Sequence, residues 1–175
     1  MTEGENFIKE FLDEKKIKYR PQQPIDGLEN DSKSHRIADF YLPEYNVYLE
    51  YFGQWGVDSH KERYREKRQV YISNQIPCIL LYPENLGIIK YVFEKRMLYI
   101  LKRYRLEKEL KKFQYKILWE EKHDLFFFVG MGIGSILVDY PWKNVSLFTA
   151  MGIAIIVYQL SRLKGSYKRA FRDNL

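Results

Sequence analysis

The chain has very little cysteine, and its first residues lack the features of an export signal. Among its 175 residues there is one cysteine, Cys78, which excludes an internal disulfide framework and any cysteine-based zinc cluster. Its start, MTEGENFIKEF, has no basic segment followed by an apolar one, so we expect no secretory signal there. These absences predict a reducing compartment, with the N-terminal part of the chain in the cytoplasm.

The charge of the chain is unbalanced toward the basic side. Its 29 Lys and Arg residues outnumber its 23 Asp and Glu residues, which gives a formal charge of +6. A positive surplus of this kind suits a polyanionic partner, either nucleic acid or an anionic lipid surface. Charge alone does not choose between the two.

Composition divides the chain into four segments. Residues 1–86 mix helical and strand-like patterns, and we expect them to form an α/β domain with a small mixed β-sheet flanked by helices. Residues 87–123 predict a basic helical stalk, residues 124–163 an apolar two-helix hairpin, and residues 164–175 a basic tail.

The elements of the first segment follow from periodicity and turn residues. The helix ENFIKEFLDEKKI and the extended edge segment KYRPQQPI come first, and a polar loop follows them. Two strands are predicted next, at Arg36 to Leu42 and at Val47 to Phe52, joined by the turn PEYN. A polar helix at Ser59 to Asn74 follows them, and then a short buried strand in IPCILLYP, around Cys78. A strand, a helix and a strand in that order predict a right-handed crossover between parallel strands.

Two acids stand within this otherwise apolar hairpin. If the hairpin turns through PEYN, Leu42 faces Val47 and Asp39 faces Glu50. Directly opposed side chains have Cβ atoms about 5 Å apart, and like charges there are destabilising. A divalent cation such as Mg²⁺, usually held by one or two carboxylates, would relieve the repulsion. The alternative is a slipped register that leaves both acids in water.

Two further residues bear on this pair. Glu5 lies on the apolar stripe of the first helix, where a carboxylate needs a partner, or it occupies the first turn and interacts with the helix dipole. In the later helix, His60, Tyr64, Lys67 and Tyr71 fall within a narrow arc. Lys67 on that arc either faces the acids or packs its stem and reaches water.

The segments GENFIKEFL, RIADFYLPEYNVYLEYFG and YREKRQVYISNQIPCILLYPENL together resemble the PD-(D/E)XK nuclease superfamily, the restriction-endonuclease-like fold. The likeness is greatest to branches near the very-short-patch repair endonucleases and to nuclease domains attached to helicases. It covers about residues 3 to 86. One departure is clear, since the lysine usual two residues after the second acid is Phe52 here.

The resemblance implies metal-dependent hydrolysis of DNA phosphodiester bonds. Asp39 and Glu50 would hold Mg²⁺ or Mn²⁺, Glu5 would help to hold it or to orient water, and Lys67 would replace the missing lysine. The secondary candidates are Gln54, His60 and Tyr64. Phe52 keeps an alternative open, a catalytically inactive domain that binds nucleic acid or a protein partner.

The apolar stretch at residues 125–160 predicts a transmembrane hairpin with both termini in the cytoplasm. Its two segments, Leu125 to Val138 and Val145 to Leu160, carry no internal charge, are flanked by basic residues and have aromatic residues at their ends. The alternative is a soluble hairpin, or one buried in a homo-oligomer. The basic helix before it is expected to be a solvated stalk, with contact to anionic lipid or to phosphate as alternatives.

Overall fold

A computed structural model describes residues 1–120, 130, 153–158, 160–161 and 164–165. Two compact units divide the chain, Met1–Leu110 and Lys111–Leu175. The first unit contains a four-stranded sheet and its helices. Its elements are α1 (Glu3–Glu14), β1 (Arg20–Asp26), β2 (His35–Leu42), β3 (Val47–Tyr51), α2 (Asp58–Ser73), β4 (Cys78–Leu81), a 3₁₀ helix (Pro83–Ile88) and α3 (Ile89–Arg103).

The sheet is mixed, as expected, with the strands in the order β1-β2-β3-β4. The first two neighbouring pairs are antiparallel, and β3 pairs with β4 in parallel through the α2 crossover. β1 lies at an edge, where its prolines remove no hydrogen bond from the middle of the sheet. The predicted α/β class is therefore confirmed.

The hairpin register is the predicted one over three pairs. Phe40 faces Leu49, Tyr41 faces Tyr48, and Leu42 faces Val47, around the turn at residues 43–46. The paired register ends there and does not extend to Asp39 and Glu50. The strands thus begin to separate at the two acids.

The neighbouring ladder is also irregular beside Asp39. β1 pairs Pro21 with Phe40 and Gln23 with Ala38, and it leaves out Gln22 opposite Asp39. Gln22 has a φ of 49°, a left-handed conformation that is uncommon outside glycine. Asp39 therefore lies where regular pairing is interrupted on both sides of β2.

α1 begins at a capping box that the sequence carries in TEGE. The Thr2 hydroxyl accepts a hydrogen bond from the N–H of Glu5, and the Glu5 carboxylate accepts one from the N–H of Thr2. Ile8, Phe11 and Leu12 are buried, as the periodicity predicts. Phe7, expected on the same face, is 44% exposed.

α3 differs from the solvated stalk that its basic residues suggested. Seven of its residues are buried, and the helix contacts β4 and the 3₁₀ helix. Phe93 of α3 also packs edge-on against Phe11 of α1, with ring centroids 5.4 Å apart. The first compact unit consequently runs past residue 86 and includes α3. Residues 107–120, within the remainder of the predicted stalk, are also helical.

Within the described part of the chain, no helix has both the length and the apolar character required to cross a bilayer. This finding contradicts the predicted multi-pass location with both termini in the cytoplasm, and that prediction is wrong. Most of the expected hairpin at residues 124–163, and most of the tail at 164–175, lie outside the described residues.

Candidate active site

A cleft of about 1010 Å³ opens in the first unit beside the start of α1, the separating ends of β2 and β3, and α2. All four principal candidates from the sequence line it: Glu5, Asp39, Glu50 and Lys67. They come from four different elements, so only the tertiary fold brings them together. Because β2 and β3 separate at the two acids, the acids face this space and not an unbroken ladder.

Asp39 is held by the backbone of the neighbouring strand. Its Oδ2 accepts a hydrogen bond from the N–H of Tyr51 at 2.7 Å. Partial burial is the main cause that raises the pKa of Asp39, and the negative charge of Glu5 adds to it. The Tyr51 N–H and the Lys67 ammonium act in the opposite direction, because both favour the ionised carboxylate.

Glu50 is only 2% exposed, and three polar contacts hold its carboxylate. Oε1 accepts a hydrogen bond from the Tyr71 hydroxyl at 2.7 Å, and the Lys67 ammonium lies 2.7 Å from both Oε2 and Oε1. Burial raises the pKa of Glu50 to about 7, with a further contribution from the charge of Asp39. The charge of Lys67 opposes that rise. Near neutral pH this carboxylate is therefore poised between its two protonation states.

Lys67 reaches the acids and does not extend into water as a surface lysine would. Besides Glu50, its ammonium donates to the carbonyl of Ile37 at 2.9 Å, and its side chain is 18% exposed. It also lies 5.8 Å from the centre of the Tyr71 ring. Of the two interpretations open from the sequence, the structure shows the one in which Lys67 faces Glu50.

Phe52, at the position of the usual lysine, is 1% exposed and belongs to an aromatic cluster. Its ring stacks on Tyr64 with centroids 4.4 Å apart and contacts Trp55 and Tyr82. The chain thus uses this position for packing. The positive charge beside Glu50 comes instead from the ammonium of Lys67 on α2.

Glu5 combines features of both interpretations left open by the sequence. It sits in the first turn of α1, where its carboxylate completes the capping box with Thr2. It is also half-buried, lines the cleft, and is close enough to Asp39 to influence that residue's pKa. A capping carboxylate in this place can still accept hydrogen bonds on its remaining lone pairs.

Two of the three secondary candidates line the cleft, and one does not. Gln54 and Tyr64 line the cleft, and the N–H of Gln54 donates to the Tyr64 hydroxyl at 3.3 Å. His60 is not among the residues that line it. It precedes Lys67 by seven residues, about 10 Å along a helix axis, so a shared arc does not bring both to one place.

Sequence reasoning missed the polar groups that support the acids. The helical arc of α2 includes Tyr71 but predicts no role for it. Burial and the charge of Glu50 raise the pKa of Tyr71, which keeps its hydroxyl protonated as a donor to that carboxylate. Its position four residues after Lys67 was the available signal. The basic residues Lys33, Arg36 and Arg63, which line the same cleft, were also not singled out.

The oxygen ligands present suit a hard divalent cation held by two carboxylates. The charge of Asp39 contributes to the raised pKa of Glu50, so a cation between the two carboxylates would offset that repulsion. Mg²⁺ is commonly bound by one or two carboxylates, with water and substrate phosphate completing its shell. Among the described residues, no group of three or more His, Cys, Asp or Glu side chains could hold a metal ion. The fit is therefore to a two-carboxylate site.

Comparison with known proteins gives one partial similarity. No protein-family model matches the chain, and no solved structure gives a significant match. The chain is similar to the sugar fermentation stimulation protein homolog of Haemophilus influenzae, with 34% identity over 89 residues. The match covers 51% of this chain and 36% of the relative, so the chain matches little more than a third of that protein's length. This similarity is compatible with a nuclease-like α/β fold.

Proposed function

We propose that the chain is a metal-dependent nuclease that hydrolyses phosphodiester bonds in DNA. The observation that carries the proposal is the arrangement in the cleft, where Asp39 and Glu50 lie beside the ammonium of Lys67. Two carboxylates can hold a divalent cation that activates water, and an ammonium group can stabilise the charge that develops on a phosphate. The lysine of this site, Lys67, lies on α2. The site therefore contains an ammonium group although position 52 is not a lysine.

In this proposal Asp39 and Glu50 hold the cation, Mg²⁺ or Mn²⁺, and Glu5 assists at the edge of the cleft. When bound, the cation would supply Lewis-acid activation of water and neutralisation of phosphate charge. The residues of the chain fix the geometry: the Tyr51 N–H holds Asp39, and the Tyr71 hydroxyl holds Glu50. Fixed ligands of this kind need little reorganisation during reaction.

Lys67 has two roles in the proposal. Its ammonium favours the ionised form of the buried Glu50, since its charge opposes the rise in pKa that burial causes. When a phosphodiester enters, the same ammonium can donate a hydrogen bond to a phosphate oxygen and stabilise the charge that develops there. A lysine has three donors, of which the contacts to Glu50 and Ile37 account for part.

The basic lining of the cleft supports a polyanionic substrate. Lys33 and Arg63 are exposed at the cleft, and their charges suit flanking phosphates of a nucleic acid strand. The formal net charge of +6 on the whole chain also favours a polyanionic substrate. Binding of this kind is expected to weaken steeply with salt.

The test is incubation of the purified chain with supercoiled plasmid and linear DNA, with and without Mg²⁺ or Mn²⁺. We expect cleavage only with the cation, and its loss in Asp39→Ala and Glu50→Ala. Cleavage that needs no cation, or that both variants retain, would refute the proposed site.

A second candidate is an inactive nuclease-like domain that binds nucleic acid or a protein partner. It is favoured by the two-carboxylate ligand set and by the close Lys67–Glu50 pair, which satisfies Glu50 without any cation. DNA binding by fluorescence anisotropy in the absence of any cleavage would select this candidate over the nuclease.

A further inference from the structure

A second cavity, of about 310 Å³, lies between α2, β4 and α3 and shares no lining residue with the cleft. Its floor is apolar and includes Ile79 and Ile100. Its walls carry arginine and tyrosine side chains: Arg68, Arg96, Arg103, Tyr82, Tyr99 and Tyr104. Cavities that hold small molecules usually begin near this volume.

The charged side chains that line the cavity are basic. Three of its lining residues are arginines, and none of the described residues that line it is Asp or Glu. Arg96 is partly buried and donates to the carbonyl of Leu80, a neutral acceptor. Burial lowers the pKa of Arg96, and the charges of Tyr82 and Glu84 oppose that change. An anion in the cavity would lie against the arginine side chains of its lining.

The guanidinium groups keep donors available for such an anion. Arg103 donates one hydrogen bond to the Tyr99 hydroxyl at 2.9 Å. Arg68 lies on the other helix, α2, and lines the same cavity. A guanidinium has five N–H donors in a planar fork that matches the oxygens of a phosphate. Arginines from two helices, α2 and α3, therefore line the same cavity.

The tyrosines offer ring faces next to these donors. Arg96 lies over the Tyr82 ring at 5.4 Å, and Arg103 lies 6.0 Å from the centres of the Tyr99 and Tyr104 rings. Tyr99 is 44% exposed, so its ring is open to another aromatic group. Nucleobases stack on tyrosine and on arginine planes with little preference among bases.

We propose that this cavity binds a phosphorylated nucleoside, with the phosphate on Arg68 and Arg103 and the base against Tyr99. The same chemistry is presented by a free mononucleotide and by the phosphorylated end of a nucleic acid strand. The assignment does not depend on the nuclease activity, since the two cavities are lined by different residues.

The experiment is isothermal titration of the full chain with adenosine 5′-monophosphate, adenosine and inorganic phosphate, in the presence of a chelator. A second series uses one short oligonucleotide with and without its 5′-phosphate. We expect the monophosphate to bind at least about tenfold more tightly than adenosine or phosphate alone, because it engages both features. If the 5′-phosphate increases the affinity for the oligonucleotide as much as it does for adenosine, the ligand is a strand end. If the 5′-phosphate does not increase the affinity for the oligonucleotide, the ligand is the free nucleotide.

Variants locate the binding. Arg103→Gln and Arg68→Gln should each weaken monophosphate binding about tenfold, and Tyr99→Leu should weaken it several-fold. Lys95→Gln, an exposed change on α3 outside the cavity, is the matched control and should bind as the wild type does. Circular dichroism verifies that each variant is folded.

Two results overturn the proposal. One is the absence of binding by the monophosphate and by the phosphorylated oligonucleotide at millimolar concentration. The other is binding that Arg63→Ala in the cleft abolishes and Arg103→Gln leaves unchanged, which would assign the ligand to the cleft.

Discussion

Replacement of Glu50 by glutamine tests the electrostatics of the cleft without any assumption about activity. Glu50 is almost fully buried, and its pKa is raised from an ordinary 4.5 to about 7. The folded state therefore binds this proton more tightly than the unfolded chain does. The resulting stabilisation is fully present below about pH 4.5 and is lost as the pH rises through about 7. Its size is roughly 3 kcal/mol, of which most is lost between about pH 5 and pH 8.

Glutamine keeps the shape of Glu50 and an oxygen that can accept from Tyr71, but it cannot ionise. Lys67 then faces a neutral amide and can still reach water, since its side chain is 18% exposed. The assay is urea denaturation of both proteins, with a chelator present, at about pH 5 and about pH 8. On going to the higher pH, the wild type should lose roughly 2 to 3 kcal/mol relative to Glu50→Gln. A difference in unfolding free energy that is the same at both pH values would refute the reasoning.

Three more outcomes follow from the packing and charges of the first unit. Phe52→Ala should lower the free energy of unfolding by about 3 to 5 kcal/mol in urea, because it empties the centre of an aromatic cluster. Arg36→Met should lower the free energy of unfolding in urea, because Arg36 is 3% exposed and its loss leaves Asp31 without its ion-pair partner. Mg²⁺ at about ten times its Kd should stabilise the wild type by about 1.4 kcal/mol near pH 8, and calorimetry should show no such gain in Asp39→Asn.

The hairpin and the helices were predictable because local patterns determine them. The turn PEYN and the alternation of apolar residues place Phe40 opposite Leu49, and that pair is present. The apolar stripe of α1 likewise predicts that Ile8 and Leu12 are buried. Such features depend on neighbours in sequence or on one turn.

The supporting contacts of the site were not predictable in the same way. The bond from the Tyr51 N–H to Asp39 forms where two strands separate, and no periodicity indicates that point. The helical arc on α2 indicated Lys67 as a candidate. Only the path of the helix across the sheet shows that the Lys67 ammonium lies 2.7 Å from the Glu50 carboxylate.

α3 shows a different limit, in which composition obscured a pattern that was present. The many basic residues of this segment suggested a solvated helix. Val92, Phe93, Met97 and Leu101 nevertheless recur at helical spacing and are buried. Here the spacing of apolar residues was the better signal, and net charge described only the opposite face.

We propose that Lys67 completes a nuclease site in place of the lysine absent at position 52. The most direct measurement is the rate of supercoiled plasmid cleavage with Mg²⁺ by Lys67→Met, beside Lys95→Met as an exposed control of the same chemistry. We predict that Lys67→Met cleaves at least about 100-fold more slowly than the wild type while Lys95→Met retains the wild-type rate. Equal rates for the two variants, or no Mg²⁺-dependent cleavage by the wild type, would contradict the claim.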